Sequence, residues 1–581
     1  MASSSRELLM PIARPRSAAS SPELPSAEPE VMDPSRRAEW PSLSRSMSEL
    51  VAASARQPLT VARIEMALVA RLALIALGRA PLAPHAGDRR FTDHSWQAHP
   101  VFRRTLQIYL AWSQALTDLV DALTVDDTTR DRLRFVVRHA MAAGAPSNLF
   151  FLHPGFYARA RATKGASMLT GLVQFVDDMT RHHGLPRQVD TSAFTIGKNI
   201  AATPGAVIYR DALVELIQYA PATPEQDASP ILIVPPQINK FYVFDLSGEN
   251  SFVRYALAAG QPVFMLSWRN PTAAQKHWGL ADYVKAVDQA IERVATLNDG
   301  AAVKLVGACA GGLTAAVALA YRRARDVAPG AASADVACLS LFVTLLGKSL
   351  ATDDAGRAHD ERAVRHALAR SSTTGVLDGA DMARAFAWLR PEDMIWRFVT
   401  NNYVLGQRPP ASDILYWNAD TTRLPARLHA DLLRIYGDDA LARPGGIMID
   451  DIAIDLSAID CDVFVMAGEK DHITPWRACH ESAARLSAPS RFVLVGAGHV
   501  QSLVCPPGEG TMYASDVCGQ GETAADWRAG APGYHESWWH EWLAWCQAHG
   551  AAARPAPVHY GDTATGLAPI DIAPGRYVRQ R

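Results

Sequence analysis

What the sequence lacks narrows its chemistry first. It has no excess of charge of either sign: 57 Lys and Arg stand against 59 Asp and Glu, a formal balance of −2, so no broad basic field draws in nucleic acid. It has no CxxC pair. Its seven cysteines are odd in number and scattered, as reduced thiols are, which indicates neither a disulfide framework nor a zinc or other metal site. No N-terminal apolar run resembles the core of a secretory signal, so a cytoplasmic protein is expected. The longest apolar stretch, residues 66–77, is interrupted by Arg71 and is too short for a transmembrane segment. It reads as an amphipathic helix packed on its own protein, with surface binding to a lipid or polymer as the alternative.

Apolar content is not short. Hydrophobic residues make up 49% and charged residues 20% of 581 positions, enough for a large core and too long a chain for one typical domain. Residues 1–45, rich in Ser, Pro, Ala and Arg without a hydrophobic period, are expected to form a flexible tail. Residues 46–208 carry helical patterns, as in 102–123 and 131–143, and are expected to form a mostly α domain. From residue 209 to 581 short apolar runs alternate with longer amphipathic segments, the signature of a parallel sheet with crossover helices. Strands are expected at 231–234, 262–268, 303–306, 338–345, 462–467 and 491–495. The spacing breaks once, between Leu345 and Asp462, where an aromatic-rich stretch (396–417) lies among helical patterns. Connections within such sheets are normally short, so residues 349–446 read as a cap inserted over the site.

The strongest local signal is Gly307-Ala308-Cys309-Ala310-Gly311-Gly312, directly after the apolar run 303–306 and before the helical pattern 313–325. A sharp strand-to-helix turn of this kind presents a nucleophile at the carboxyl edge of the sheet, and small neighbours let backbone pass closely. Here the nucleophile is cysteine. The following helix offers its positive end to a thiolate, and the Ala310 N–H is placed to meet a developing oxyanion.

An α/β-hydrolase fold presents nucleophile, acid and histidine in that chain order. After the run 462–467 comes Gly468-Glu469-Lys470-Asp471-His472, with Asp471 as candidate acid. After 491–495 comes Gly496-Ala497-Gly498-His499, with His499 as candidate base. Competitors are Glu469 and His472 nearby, and Asp353 or Asp354 after the strand ending near Leu345. A second oxyanion donor should come from the loop after 231–234, and the Ile238 N–H is the preferred one. Trp538, Trp539, Trp542 and Trp545 recur at helical spacing and read as core. The 396–417 aromatics also read as core, with a role in lining a substrate route as the sharper alternative.

Further segments extend the pattern: residues 87–91 (GDRRF), 186–194 (PRQVDTSAF), 202–206 (ATPGA), 235–240 (PPQINK), 267–271 (SWRNP) and 417–425 (WNADTTRLP). Together they resemble the polyhydroxyalkanoate synthase family over nearly the whole chain after the tail. The resemblance implies a hydroxyacyl-CoA substrate, a covalent acyl-cysteine intermediate, a homodimer, attachment to cytoplasmic polyester granules, and no cofactor beyond the CoA carried by the substrate. GACAGG, the SWRNPT stretch and PGRYV near the C-terminus look closer to the single-subunit type that favours medium-chain monomers. One departure is Cys505, where the family commonly has Asn before paired prolines, which puts the pocket near His499 in question. On this reading His499 exchanges protons with Cys309 and the leaving thiol, while Asp471 orients His499 or assists the incoming hydroxyl. A cysteine-dependent thioesterase of the same fold, and a non-catalytic granule protein, are the competing functions.

Overall fold

The computed structural model describes residues 40–85, 87–181, 184–326, 334–348, 357–488, 490–508, 512–519 and 521–581. The region before the sheet contains helices α1 (Trp40–Arg56), α2 (Pro58–Ala76), α3 (Pro100–Ala122), α4 (Asp127–Ala143), α5 (Pro154–Ala162) and α6 (Ala166–Arg181). Their starts are written locally. Proline occupies the first turn of α2, α3 and α5, where its missing N–H costs nothing. Asp126 caps α4 by accepting from Thr129 N at 2.9 Å. Helix α1 begins at Trp40 and takes in the last six residues, 40–45, of the stretch expected to be tail; residues 1–39 of that stretch lie outside the described residues. The 66–77 segment falls on α2 and its end. Ile75 is buried there, and Arg71 reaches Asp118 of α3, while Met66, Val69 and Leu77 stay exposed.

Among the described residues the sheet has eleven strands: β1 (Gly205–Arg210), β2 (Val214–Tyr219), β3 (Ile231–Val234), β4 (Val263–Trp268), β5 (Val303–Ala308), β6 (Val336–Phe342), β7 (Asp462–Gly468), β8 (Ser490–Val495), β9 (Tyr513–Cys518), β10 (Gly533–Tyr534) and β11 (Asp571–Ile572). Their order is β10-β9-β8-β7-β6-β5-β3-β4-β2-β1-β11. Strands β4, β3, β5, β6, β7 and β8 are parallel, and the flanks are antiparallel. The parallel strands are the six expected from sequence, with shifts at their ends. The sheet opens at Gly205, ahead of the expected Tyr209. From β1 to β8 the spatial order 1-2-4-3-5-6-7-8 is that of the α/β-hydrolase fold, here preceded by a helical region and interrupted between β6 and β7.

Burial explains the strand texture. In β3 Leu232 and Val234 face one core, with α7 (Leu280–Leu297) and α8 (Ala310–Asp326), while Ile231 and Ile233 face the other. Both faces are covered, so the run is continuously apolar rather than alternating. Helix α7 buries Val284, Val287, Ile291 and Val294 completely. Each such side chain contributes about 1.5–3 kcal/mol, which outweighs the few tenths by which β-branched residues disfavour a helix. The opposite core holds Trp538, Trp539 and Trp542 of α9 (Trp538–Ala548), with Trp545 partly buried against it. The tryptophan series is therefore core.

The 396–417 aromatics also serve packing. Tyr403 donates to Asp178 of α6 at 2.9 Å and packs edge-on against Phe175, and Trp417 Nε1 donates to Lys240 O at 2.7 Å. They tie the insertion to the helical region and to the loop after β3.

Candidate active site

Cys309 follows β5 directly and starts the turn into α8. Its φ of 51° lies in the left-handed region, which costs an L-residue about 1–2 kcal/mol. The surroundings hold it there: Cys309 N donates to Phe342 O at 2.9 Å, and its own carbonyl accepts from Leu313 N at 3.2 Å. The flanking glycines are there for close approach. A Cβ on Gly307 would lie 2.5 Å from Gly312 Cα, and one on Gly312 would overlap the Thr344 side chain. This is the elbow expected from GACAGG.

Asp471 and His499 stand on adjacent loops after β7 and β8. Backbone bonds sew these loops together, from Glu469 N to Val495 O at 2.7 Å and from Lys470 N to Ala497 O at 3.0 Å. Across them His499 Nδ1 lies 2.6 Å from Asp471 Oδ2, and Cys309 is close enough to the imidazole to raise its basicity. The three candidates come together, and with Nδ1 on the acid the other ring nitrogen, Nε2, is left for the thiol. Glu469 instead lies 3.5 Å from Arg528, and the imidazole on Asp471 Oδ2 is that of His499. Asp353 and Asp354 lie outside the described residues.

The carboxylate of Asp471 is fully enclosed. Oδ1 accepts from Ile473 N (2.8 Å) and Thr474 N (3.0 Å), while Oδ2 accepts from Thr474 Oγ1 (2.7 Å) and His499 Nδ1. Its acceptor positions are taken, so it acts on reacting groups only through the imidazole. Thr474 also stands 3.2 Å from His499 Nδ1. A threonine three residues past an aspartate carries no signal in sequence, and its place was not foreseen.

Electrostatics follow from this geometry. Burial alone would lower the basicity of His499, but the Asp471 charge, the Asp471 hydrogen bond and the nearby Cys309 win, raising its pKa to about 10. Burial alone would raise the Asp471 pKa, and the same His499 contact holds it below the usual carboxylate value. The pair therefore stabilises the fold most between about pH 4 and 6.5, where both groups are charged in either state. Above pH 6.5 the unfolded imidazole is neutral while the folded one stays protonated, so stability drains at about 1.4 kcal/mol per pH unit until pH approaches 10. Below pH 4 the unfolded carboxyl is protonated first, and the contribution falls again. Chemical denaturation from pH 4 to 10 should show the difference between wild type and His499→Gln largest at pH 5–6 and shrinking towards pH 10; a constant difference would contradict the assigned pair.

Of the expected oxyanion donors, Ala310 opens α8 immediately after Cys309, where helix-start amides have no partner within the helix. Ile238 lies in the loop after β3, partly buried against the core. The insertion supplies a phenol that sequence did not single out. Tyr436, on α-helix Ala426–Asp438, has its phenol pushed well above its ordinary pKa, chiefly by burial. Cys505 is buried in the core with its carbonyl accepting from Ser537, so its side chain belongs to packing.

The strand order and the cysteine elbow define an α/β-hydrolase-fold protein in which Cys309, His499 and Asp471 come together. Comparison with known proteins gives its kinship. Residues 87–256 match the family model described as poly-beta-hydroxybutyrate polymerase (PhaC) N-terminus, and residues 230–505 match that of the alpha/beta hydrolase fold. The chain is 42% identical to poly(3-hydroxyalkanoate) polymerase 2 of Ectopseudomonas oleovorans over 91% of this chain and 93% of that one. It is 39% identical to polymerase 1 of the same organism, over 90% and 92%. With the poly(3-hydroxyalkanoate) polymerase subunit PhaC of Cupriavidus necator the figures are 34%, over 87% and 85%. The chain belongs to the poly(3-hydroxyalkanoate) polymerase family.

Proposed function

We propose that the protein is an acyltransferase that polymerises (R)-3-hydroxyacyl-CoA into a polyhydroxyalkanoate and releases CoA, with the growing acyl group carried on Cys309. The observation that carries this reading is the line Asp471–His499–Cys309 in a chain related to named polymerases over nine-tenths of its length. The Cys309 sulfur, as thiolate, attacks the thioester carbonyl. The new S–C bond forms, the carbonyl pair moves to oxygen, and the Ala310 and Ile238 N–H groups receive that charge. Collapse restores the carbonyl and expels the CoA sulfur, which takes a proton from His499 Nε2. The hydroxyl of a second acyl group then gives its proton to Nε2 and attacks the acyl-cysteine, forming the ester and freeing the Cys309 sulfur. Asp471 keeps Nδ1 protonated throughout. No metal or added cofactor enters these steps.

Water must lose to a hydroxyl at the acyl-cysteine, which gives the insertion its purpose as a cap. The medium-chain preference rests on the motif resemblance. Granule attachment draws support from α6, which exposes Met168, Leu169, Leu172, Val173, Val176 and Met179, an unusually apolar face for a surface helix. Among the described residues no helix is long and apolar enough to cross a membrane. A homodimer in the cytoplasm completes the reading.

Incubating the purified protein with medium-chain 3-hydroxyacyl-CoA, with Cys309→Ala as control, tests it. Thiol release together with insoluble polyester, both lost in the control, is the expected result. Release with only free hydroxy acid would replace the polymerase by a thioesterase, and no release with monomers of any length would leave a non-catalytic granule protein.

A further inference from the structure

The loop after β3 is gripped from two sides, and both grips bear on one peptide plane. Gln237, only 4% exposed, donates from Nε2 to Thr314 Oγ1 at 2.9 Å, and Thr314 Oγ1 in turn donates to Ala310 O at 2.9 Å. That relay ties the loop to the first turn of α8, just past Cys309. From the other side Thr422, on the inserted segment between β6 and β7, donates from Oγ1 to Gln237 O at 2.7 Å. The Gln237 C=O and the Ile238 N–H belong to the same planar trans peptide and point in opposite directions. A hydroxyl that fixes the carbonyl therefore fixes the amide.

Neighbouring bonds give the grip its stiffness. Thr422 N donates to Ile238 O at 3.4 Å, Trp417 Nε1 to Lys240 O at 2.7 Å, and Asp420 Oδ1 accepts from Lys240 Nζ at 2.8 Å. Thr422 is itself 6% exposed, so water does not readily replace its hydroxyl.

We propose that Thr422 is a positioning residue of the oxyanion hole: its hydroxyl, brought by the cap, sets the tilt of the Gln237–Ile238 peptide so that the Ile238 and Ala310 N–H groups converge on one oxygen. This rests on the reading of those two amides as the oxyanion donors. The cap then completes the site as well as covering it, and shifting the cap lowers turnover even where Cys309, His499 and Asp471 stay in place.

Thr422→Val keeps the branched volume and removes the donor; Thr422→Ser returns it. The expected result for Thr422→Val is a fall in kcat for CoA release of about 10- to 100-fold with KM changed less than about twofold, and recovery to within about threefold in Thr422→Ser. Alkylation of Cys309 by iodoacetamide, which forms no tetrahedral oxyanion, should stay within about twofold of wild type. Gln237→Met, which cuts the tie to Thr314, should show the same split and serves if Thr422→Val does not fold. Wild-type turnover in both variants, or alkylation falling in step with CoA release, would overturn the positioning role. A wild-type protein that releases no CoA from acyl-CoA would instead overturn the function on which the role rests.

Discussion

Asp471→Asn is expected to lower the first acylation and the elongation rate together, each by about 10³- to 10⁴-fold. The reason lies in which atoms the carboxylate already serves. Oδ1 accepts from two backbone amides, Ile473 N and Thr474 N, so an asparagine must place its carbonyl oxygen there; the opposite rotamer would set an NH₂ against two N–H groups and leave both without acceptors. Its NH₂ then faces Thr474 Oγ1 and His499 Nδ1, the positions held by Oδ2. An NH₂ at Nδ1 requires that nitrogen to accept, which moves the imidazole proton to Nε2, towards Cys309. The base then presents a hydrogen where it needs a lone pair. Both steps use Nε2, so both fall. Rapid quenching of CoA release on unprimed enzyme, set beside the steady-state rate, separates them. Elongation falling far more than the first burst would mean that Asp471 touches the incoming hydroxyl directly, the alternative that its occupied acceptor positions argue against.

The sequence was legible where chemistry and burial coincide. The six parallel strands are covered on both faces, so each stands out as an apolar run, and Cys309, Asp471 and His499 each follow one of these strands closely. The antiparallel flanks escaped notice for a physical reason. Strand β2 carries Glu215 as its second residue, an implausible core residue until the fold surrounds it with Arg210 at 2.6 Å and the amides of Arg576 and Tyr577. Those amides come from 361 and 362 positions away, beyond the reach of any local pattern. Thr422 and Thr474 were missed similarly: a hydroxyl becomes informative only when its acceptor is known, and the Thr422 acceptor is 185 positions distant. The aromatic stretch 396–417 shows the reverse. Its composition left packing, the preferred reading, and a substrate route both open, and only Phe175 and Asp178, on another element, make Tyr403 a packing residue.

Gly311→Ala should cost both stability and turnover, and the balance of its effects shows how closely fold and site are joined. The added methyl would overlap Val234 O and lie 2.5 Å from Pro235 O. Both are main-chain atoms at the end of β3 and the start of the next loop, so no side-chain rotation relieves the clash. Alanine gains about 1 kcal/mol over glycine in helix propensity, but overpacking typically costs about 1–3 kcal/mol and more against rigid main chain, leaving a net loss of up to about 2 kcal/mol. The relief available is a shift of the first turn of α8 away from β3. That same shift moves the Ala310 N–H away from the loop carrying Ile238 and carries Cys309 with it. Displacements approaching 1 Å at such sites cost about 100-fold in rate, so kcat should fall about that far, well beyond what the stability loss implies for a folded enzyme. Gly437, on the inserted helix Ala426–Asp438, is the matched control: a Cβ there meets nothing within 4 Å, and Gly437→Ala should raise stability by up to about 1 kcal/mol. Urea unfolding together with CoA-release rates on both variants separates the contributions. Normal turnover in a destabilised Gly311→Ala protein would mean that the spacing of α8 from β3 supports the fold alone, and that the two oxyanion amides do not depend on it.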